Sequence, residues 1–233
     1  MEALTTPASD RTQRLRATAC RDRELLRFVG RHGAVSIEHV MDALDVGSTM
    51  AYRRVAACVE RGLIVRVAPL RDEPSLLLAT RDGLRYVGLG LPVAVVSPGS
   101  VVHWLRCASV ALALGERHGH ERVLTERELR AAEQMERLPI ASAKIGELPS
   151  GRPRLHRPDL VLLGGEQPIA IEVELQPKTP QRLEQILRAW RRASWVAEVR
   201  YLCAPGKTRD AVERAIRKTR AEGRVLTEEV VPR

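Results

Sequence analysis

Residues 157–178 read RPDLVLLGGEQPIAIEVELQPK, and their pattern decides how the second half of the chain is understood. DLVLL (159–163) is a short apolar run, GGEQP (164–168) a turn segment, and IAIEVEL (169–175) a second run with strict two-residue alternation. Short apolar runs bounded by Gly and Pro predict two strands joined as a hairpin. Side chains alternate across a strand, so Ile169, Ile171, Val173 and Leu175 share one face, and Ala170, Glu172 and Glu174 the other. At a rise of ~3.3 Å per residue, Glu172 and Glu174 stand ~7 Å apart. The hairpin brings Asp159 towards them, and Lys178 follows just after the strand. Three acids and a lysine at one strand end suit a Mg²⁺ ion held by carboxylate oxygens that activates a water. The competing reading of Glu172 and Glu174 is a polar strand face turned to solvent.

Working outward, TPQRLEQILRAWRRASWV (179–196) predicts a helix capped by Thr179, with Leu183, Ile186, Leu187, Trp190 and Ala193 inward. Its other side carries Arg182, Arg188, Arg191 and Arg192, a basic ridge suited to phosphates and equally to solvent. VRYLCA (199–204) is a strand, residues 207–223 a helix and RVLTEEV (224–230) a last strand. Upstream, residues 98–118 form an apolar-rich helix after a Pro-Gly break, and RVLTEREL (122–129) a short strand running into a helix. Residues 138–154, loaded with Pro, Gly and Ser, are expected to be an exposed loop. From residue 98 the expected order is α, β, β, β, α, β, α, β.

This order, with Pro158–Asp159 and Glu172-x-Glu174, resembles the PD-(D/E)xK nuclease-like superfamily. The resemblance implies an αβββαβ core with a mixed sheet, and Asp159 and Glu172 as the metal-binding acids. Glu174 stands where that superfamily usually has lysine. Some restriction endonucleases of the superfamily carry Glu there and still cleave, and Lys178 is placed to substitute. Loss of the lysine is equally what a domain kept for binding alone would show. More closely, the order RPD…IAIEVEL…K…RLEQILRAW after a winged helix is similar to the replication-relaxation family. Those proteins belong to bacterial plasmids and mobile elements and are linked to plasmid replication and DNA relaxation. The likeness covers roughly residues 22–205.

The N-terminal half supplies that winged helix. Residues 1–21 are polar and Arg-bearing, without a sustained apolar period, and are expected to be a flexible basic tail or a frayed helix start. Asp22 is positioned to cap a helix over RELLRFVGRHG (23–33), and Ser36 starts a second over SIEHVMDALDV (36–46), with Glu38 and His39 off its apolar stripe. Ser48 caps a third over STMAYRRVAACVERG (48–62). LIVRVAP (63–69) and SLLLAT (75–80) then predict a hairpin, and TRDGLRYVGLG (80–90) a short closing helix. Three helices, a wing and the segment Thr80-x-x-Gly83 resemble the winged-helix superfamily. The fold class is thus α+β or α/β, with a winged helix at 22–97 joined to a nuclease-like domain at 98–233. Ser48, Thr49, Tyr52, Arg53 and Arg54 lie at the start of the third helix, where recognition helices meet base edges or phosphates. Arg66 and Arg71, on the wing, are expected to touch the DNA backbone or minor groove.

Charge agrees with a polyanionic partner. The 233 residues hold 38 basic and 29 acidic side chains, a net charge of +9. Residues 1–97 carry 14 basic and 11 acidic groups, 98–150 carry 7 and 7, and 151–233 carry 17 and 11, so both ends are positive and the middle neutral. Binding to phosphates releases counterions, which favours such a surface on DNA. Only 3% of residues are aromatic, which argues against the stacking platforms of single-strand or RNA binders. Four cysteines without a CxxC pair argue against zinc ribbons and disulfide frameworks. No apolar run reaches the ~18 residues of a membrane span, so a cytoplasmic protein without membrane contact or small-molecule cofactor is expected.

Three functions follow. The first is a DNA-binding protein of a mobile element, acting in replication, relaxation or gene control, whose nuclease-like domain need not cleave. The second is a working Mg²⁺-dependent endonuclease, with Asp159 and Glu172 on the metal and Glu174 or Lys178 handling the water. The third is a winged-helix transcription regulator whose second half dimerises.

Overall fold

The structure is a computed structural model that describes residues 7–68 and 75–230, residues 7–19 as backbone. It falls into two compact units, residues 1–104 and 105–233. The division lies a few residues past the Pro-Gly break at 98–99. Among the described residues there are eight α-helices and a mixed five-stranded sheet.

The first unit is built from α1 (Pro7–His32), α2 (Ile37–Leu44), α3 (Ser48–Glu60), β1 (Ile64–Val67), β2 (Leu76–Ala79) and α4 (Arg81–Tyr86). Strands β1 and β2 pair antiparallel, Ile64 opposite Ala79 and Val67 opposite Leu76, and Val35 bridges to Leu77 as a short third partner. Leu25, Leu26, Val29, Val40, Ala51, Val55, Cys58 and Leu76 are fully buried, so the apolar stripes of all three helices meet the hairpin in one core. Arg71 lies outside the described residues.

Helix α1 starts earlier than expected. Residues 7–21, read from the sequence as a tail or a frayed helix start, continue the helix, because neither Gly nor Pro interrupts Ala8–Val29 and Pro7 suits a first turn. Asp22 is therefore no cap. It is buried in mid-helix and pairs with Arg61 at 3.1 Å, tying α1 to the end of α3. Ser48 is likewise the first residue of α3, with Gly47 at the cap position. His39, expected on the outer side of α2, is buried, its Nδ1 2.7 Å from Ser36 Oγ in a reciprocal cap.

Thr80 and Gly83 act together. Thr80 Oγ1 accepts from Gly83 N at 3.0 Å and donates to Gly62 O at 2.7 Å, joining the start of α4 to the end of α3. A Cβ on Gly83 would lie 2.1 Å from Leu63 O, so only glycine fits.

The second unit holds most of α5 (Val101–His118), then β3 (Val123–Thr125), α6 (Glu126–Glu136), β4 (Ala143–Glu147), β5 (Pro153–His156), β6 (Leu160–Leu162), β7 (Ile169–Glu174), α7 (Pro180–Arg192), β8 (Glu198–Cys203), α8 (Lys207–Thr219) and β9 (Val225–Glu229). The sheet order is β3-β6-β7-β8-β9, with β3–β6 and β6–β7 antiparallel, and β7–β8 and β8–β9 parallel. On one face Leu183, Ile186, Leu187 and Trp190 of α7 and Val212 and Ile216 of α8 pack on Val161, Ala170, Val199 and Tyr201. On the other, Ala111 of α5 meets Val123, Leu160, Leu162 and Ile171.

Most of the expected loop at 138–154 belongs instead to a hairpin spanning residues 143–156. Strands β4 and β5 pair antiparallel with a bulge at Ile145, and Ala143 and Ile145 are buried in the α7-side core. The apolar residues interleaved among Gly and Pro give this segment a buried edge. Among the described residues, no helix is long and apolar enough to cross a membrane.

Candidate functional site

Asp159, Glu172, Glu174 and Lys178 come together around β6 and β7. Leu160 pairs with Ile171, which sets Asp159 one step further along and opposite Glu172. Asp159 Oδ2 accepts from the Val173 amide at 2.7 Å, so this carboxylate is fixed against the neighbouring strand. The Glu126 amide donates to the Asp159 carbonyl at 2.9 Å and holds the start of β6 from α6.

Glu172 and Glu174 do not face solvent. Both faces of β7 are covered, and the two side chains are 2% and 3% exposed as residues. A buried carboxylate is costly unless hydrogen-bonded or paired, and both are. Glu172 Oε1 accepts from Trp190 Nε1 at 3.1 Å and lies 2.6 Å from His156 Nε2. Glu174 Oε2 accepts from Lys178 Nζ, one turn's reach beyond the strand.

The electrostatics follow from this pairing. For Glu172, burial opposes ionisation, but His156, Lys178 and the Trp190 N–H outweigh it and hold the carboxyl below its ordinary value. For Glu174, burial prevails over Lys178, and the charges of Glu172 and Asp159 add to it, so its pKa is raised. Burial also works against the Lys178 ammonium, yet Glu172, Glu174 and Asp159 together keep it charged beyond its usual range.

Further residues join the site that sequence reasoning did not place there. His156 lies at the end of β5, inside a segment adjoining the expected loop, and only its tertiary partner marks it. Trp190 was legible as an inward residue of α7 but not as a donor. Tyr201, in register with Glu172 on β8, is fully buried and its hydroxyl has no partner among the described residues. Burial and the nearby Glu172, Glu174 and Asp159 keep its phenol protonated. The Cys107 thiol of α5 lies within 4.8 Å of an Asp159 carboxylate oxygen. Burial, then Asp159, Glu126 and Glu172, push that thiol well up.

The donor set suits a hard divalent cation in kind, since carboxylate oxygens are what Mg²⁺ takes. Asp159 and Glu172 stand at neighbouring register positions on β6 and β7 and are the acids that would hold it, although the Asp159 carboxylate lies towards Cys107 and Glu172 is engaged by His156 and Trp190. Both hydrogen bonds to Glu172 fall on Oε1. Glu174 is turned to Lys178 and is the less suited of the three.

In the first unit, Ser48, Thr49, Tyr52 and Arg53 are exposed and Arg54 half-buried, on the side of α3 opposite Ala51, Val55 and Cys58. Arg66 of β1 stacks its guanidinium 5.8 Å from the centre of the Tyr52 ring, which joins hairpin and helix into one basic surface. On α7, Arg188 pairs with Glu184 at 2.8 Å and Arg191 donates to the Thr219 carbonyl at 2.9 Å, so both serve internal contacts. Arg192 is exposed.

Compared with known proteins, the chain matches no protein-family model and no curated sequence.

Proposed function

We propose that this protein binds double-stranded DNA through a winged helix in its first unit and that its second unit is a PD-(D/E)xK-like domain serving that binding. The observation that carries the reading is the exposed row Thr49, Tyr52 and Arg53, with Arg54 beside it and Arg66 stacked on Tyr52. A helix presenting its first turns beside a basic hairpin suits the major groove, with Arg on guanine or phosphate. The net charge of +9 favours the same partner. An anisotropy titration of labelled duplex DNA tests it. The Arg53→Ala, Arg54→Ala double variant should bind several-fold more weakly at fixed salt, and undiminished affinity would retire the assignment.

A second reading is favoured by one observation. Asp159 stands opposite Glu172 at the head of an antiparallel pair that continues into a parallel strand, the placement expected of a metal-dependent nuclease. In that reading Asp159 and Glu172 hold Mg²⁺, which when bound supplies a polarised water. His156 and Trp190 orient Glu172, and Lys178 neutralises Glu174 beside it. Supercoiled plasmid incubated with Mg²⁺ separates the two readings. Nicking that disappears in Asp159→Ala supports the nuclease, and its absence in the wild type supports a domain that binds without cutting.

A further inference from the structure

The hairpin β4–β5 carries a feature outside the acidic site. Beside it opens a cleft of about 690 Å³, lined by Glu133, Arg137, Leu138, Leu148 and the run Arg152–Leu155, together with Arg157. Four arginines and one acid face this space, and the acid is already satisfied. Glu133 is buried and accepts from the Ile140 amide at 3.0 Å, from Ser142 Oγ at 2.7 Å and from Arg157 Nε at 2.9 Å. Arg137, Arg152 and Arg154 are exposed and have no acidic partner among the described residues. Three guanidiniums therefore stand unneutralised on one concave surface.

Their placement is built by the fold. Arg137 takes the left-handed conformation that ends α6 (φ 57°), which turns the chain away from the helix at that point. Arg152 and Arg154 flank Pro153 at the head of β5, with the Leu148 amide donating to the Arg152 carbonyl at 2.8 Å. Glu133 pins the segment between them through its four donors: the Ile140 and Ala141 amides, Ser142 and Arg157.

We infer that this cleft is a second DNA-binding surface, holding the phosphodiester backbone of a duplex without reading its sequence. The inference rests on the DNA-binding reading above and assigns part of the contact to the second unit. Guanidinium groups match phosphate oxygens in pairs, which favours phosphate over a point-charge partner. No aromatic ring lines the cleft, so bases have nothing to stack on, and a duplex backbone is preferred over a single strand. Strand β5 runs from this cleft to His156, whose ring meets Glu172, so the same strand joins the basic surface to the acidic site.

Three full-length proteins test this with labelled duplex and with one of its strands alone. They are the wild type, the cleft variant Arg137→Gln, Arg152→Gln, Arg154→Gln, and a control that removes equal charge from α8 and its end, Arg214→Gln, Arg217→Gln, Arg220→Gln. Each phosphate contact contributes about 0.9 to the slope of log affinity against log salt for duplex DNA. The cleft variant should lose about 2–3 from that slope, while the control keeps it and all three melt alike. An unchanged slope in the cleft variant overturns the inference. So does an equal loss in the control, a loss confined to the single strand, or equal displacement of the duplex by polyglutamate. The two readings fail separately. Weakening by Arg53→Ala, Arg54→Ala with an unaffected cleft variant leaves only the first standing, and the reverse result leaves only the second. A wild type that binds neither probe overturns both.

Discussion

His156 Nε2 lies 2.6 Å from Glu172 Oε1, and Trp190 Nε1 donates to the same oxygen at 3.1 Å. A hairpin strand, a central strand and a helix thus converge on one buried carboxylate. Removing a hydrogen bond to a charged group costs about 1.5–3 kcal/mol. His156→Ala should lower the stability of the second unit by that order, read as a fall in the urea midpoint. Trp190→Phe removes the second donor together with part of a fully buried indole, so it should cost at least as much. No loss of stability in His156→Ala would mean that packing, rather than the carboxylate's hydrogen bonds, governs this corner.

Glu172 also sets a pH dependence. Its folded pKa lies below the ordinary 4.5, so its ionised form contributes stability that is present above about 4.5 and lost as pH falls through the lowered folded value. Glu174, raised, acts in the opposite direction. The contrast between wild type and Glu172→Gln isolates the first group. The wild type should exceed Glu172→Gln in urea midpoint above pH 4.5, and the gap should narrow below it. A gap that stays constant through that range would show that the ionised form of Glu172 carries no net weight among its partners.

Tyr201 offers a test in the other direction. Its hydroxyl is buried without a partner among the described residues, and a polar group left so costs about 1–3 kcal/mol. Tyr201→Phe should therefore leave stability unchanged or raise it by about 1 kcal/mol in thermal or urea unfolding. A clear loss would reveal a bond to the hydroxyl.

In the first unit, Gly83→Ala should destabilise by about 1–3 kcal/mol, because its methyl would collide with the Leu63 carbonyl. Thr80→Ala removes the cap on α4 and should cost about 1 kcal/mol. Circular dichroism melts of the two variants check both, and a tolerated alanine at Gly83 would contradict the close approach.

Arg66→Gln should reduce the salt slope of duplex binding by about 1 while leaving the melting temperature in place, since Arg66 is exposed and only stacks on Tyr52. A loss of stability instead would make the stacking structural rather than part of a DNA-facing surface.

Local patterns in the sequence settled much of this fold. The alternation of residues 169–175 placed strand β7 and put Glu172 and Glu174 on one face, the spacing of Leu183, Ile186, Leu187 and Trp190 placed the buried side of α7, and Thr80 marked the start of α4. These are legible because period and capping are properties of neighbouring residues. Other features depended on contacts between distant segments. Asp22 reads locally as a cap and is a buried partner of Arg61, 39 positions away. Residues 138–154 read as a loop, because their turn residues are local while the burial of Ala143 and Ile145 comes from α7. The same distance hid His156 and the three unneutralised arginines beside it. The sequence by itself determined those elements whose period and caps are local, such as β7 and α7, and which side chains share their faces. Only the tertiary structure decided that the Glu172–Glu174 face is buried and paired, because a strand pattern cannot say what packs against it.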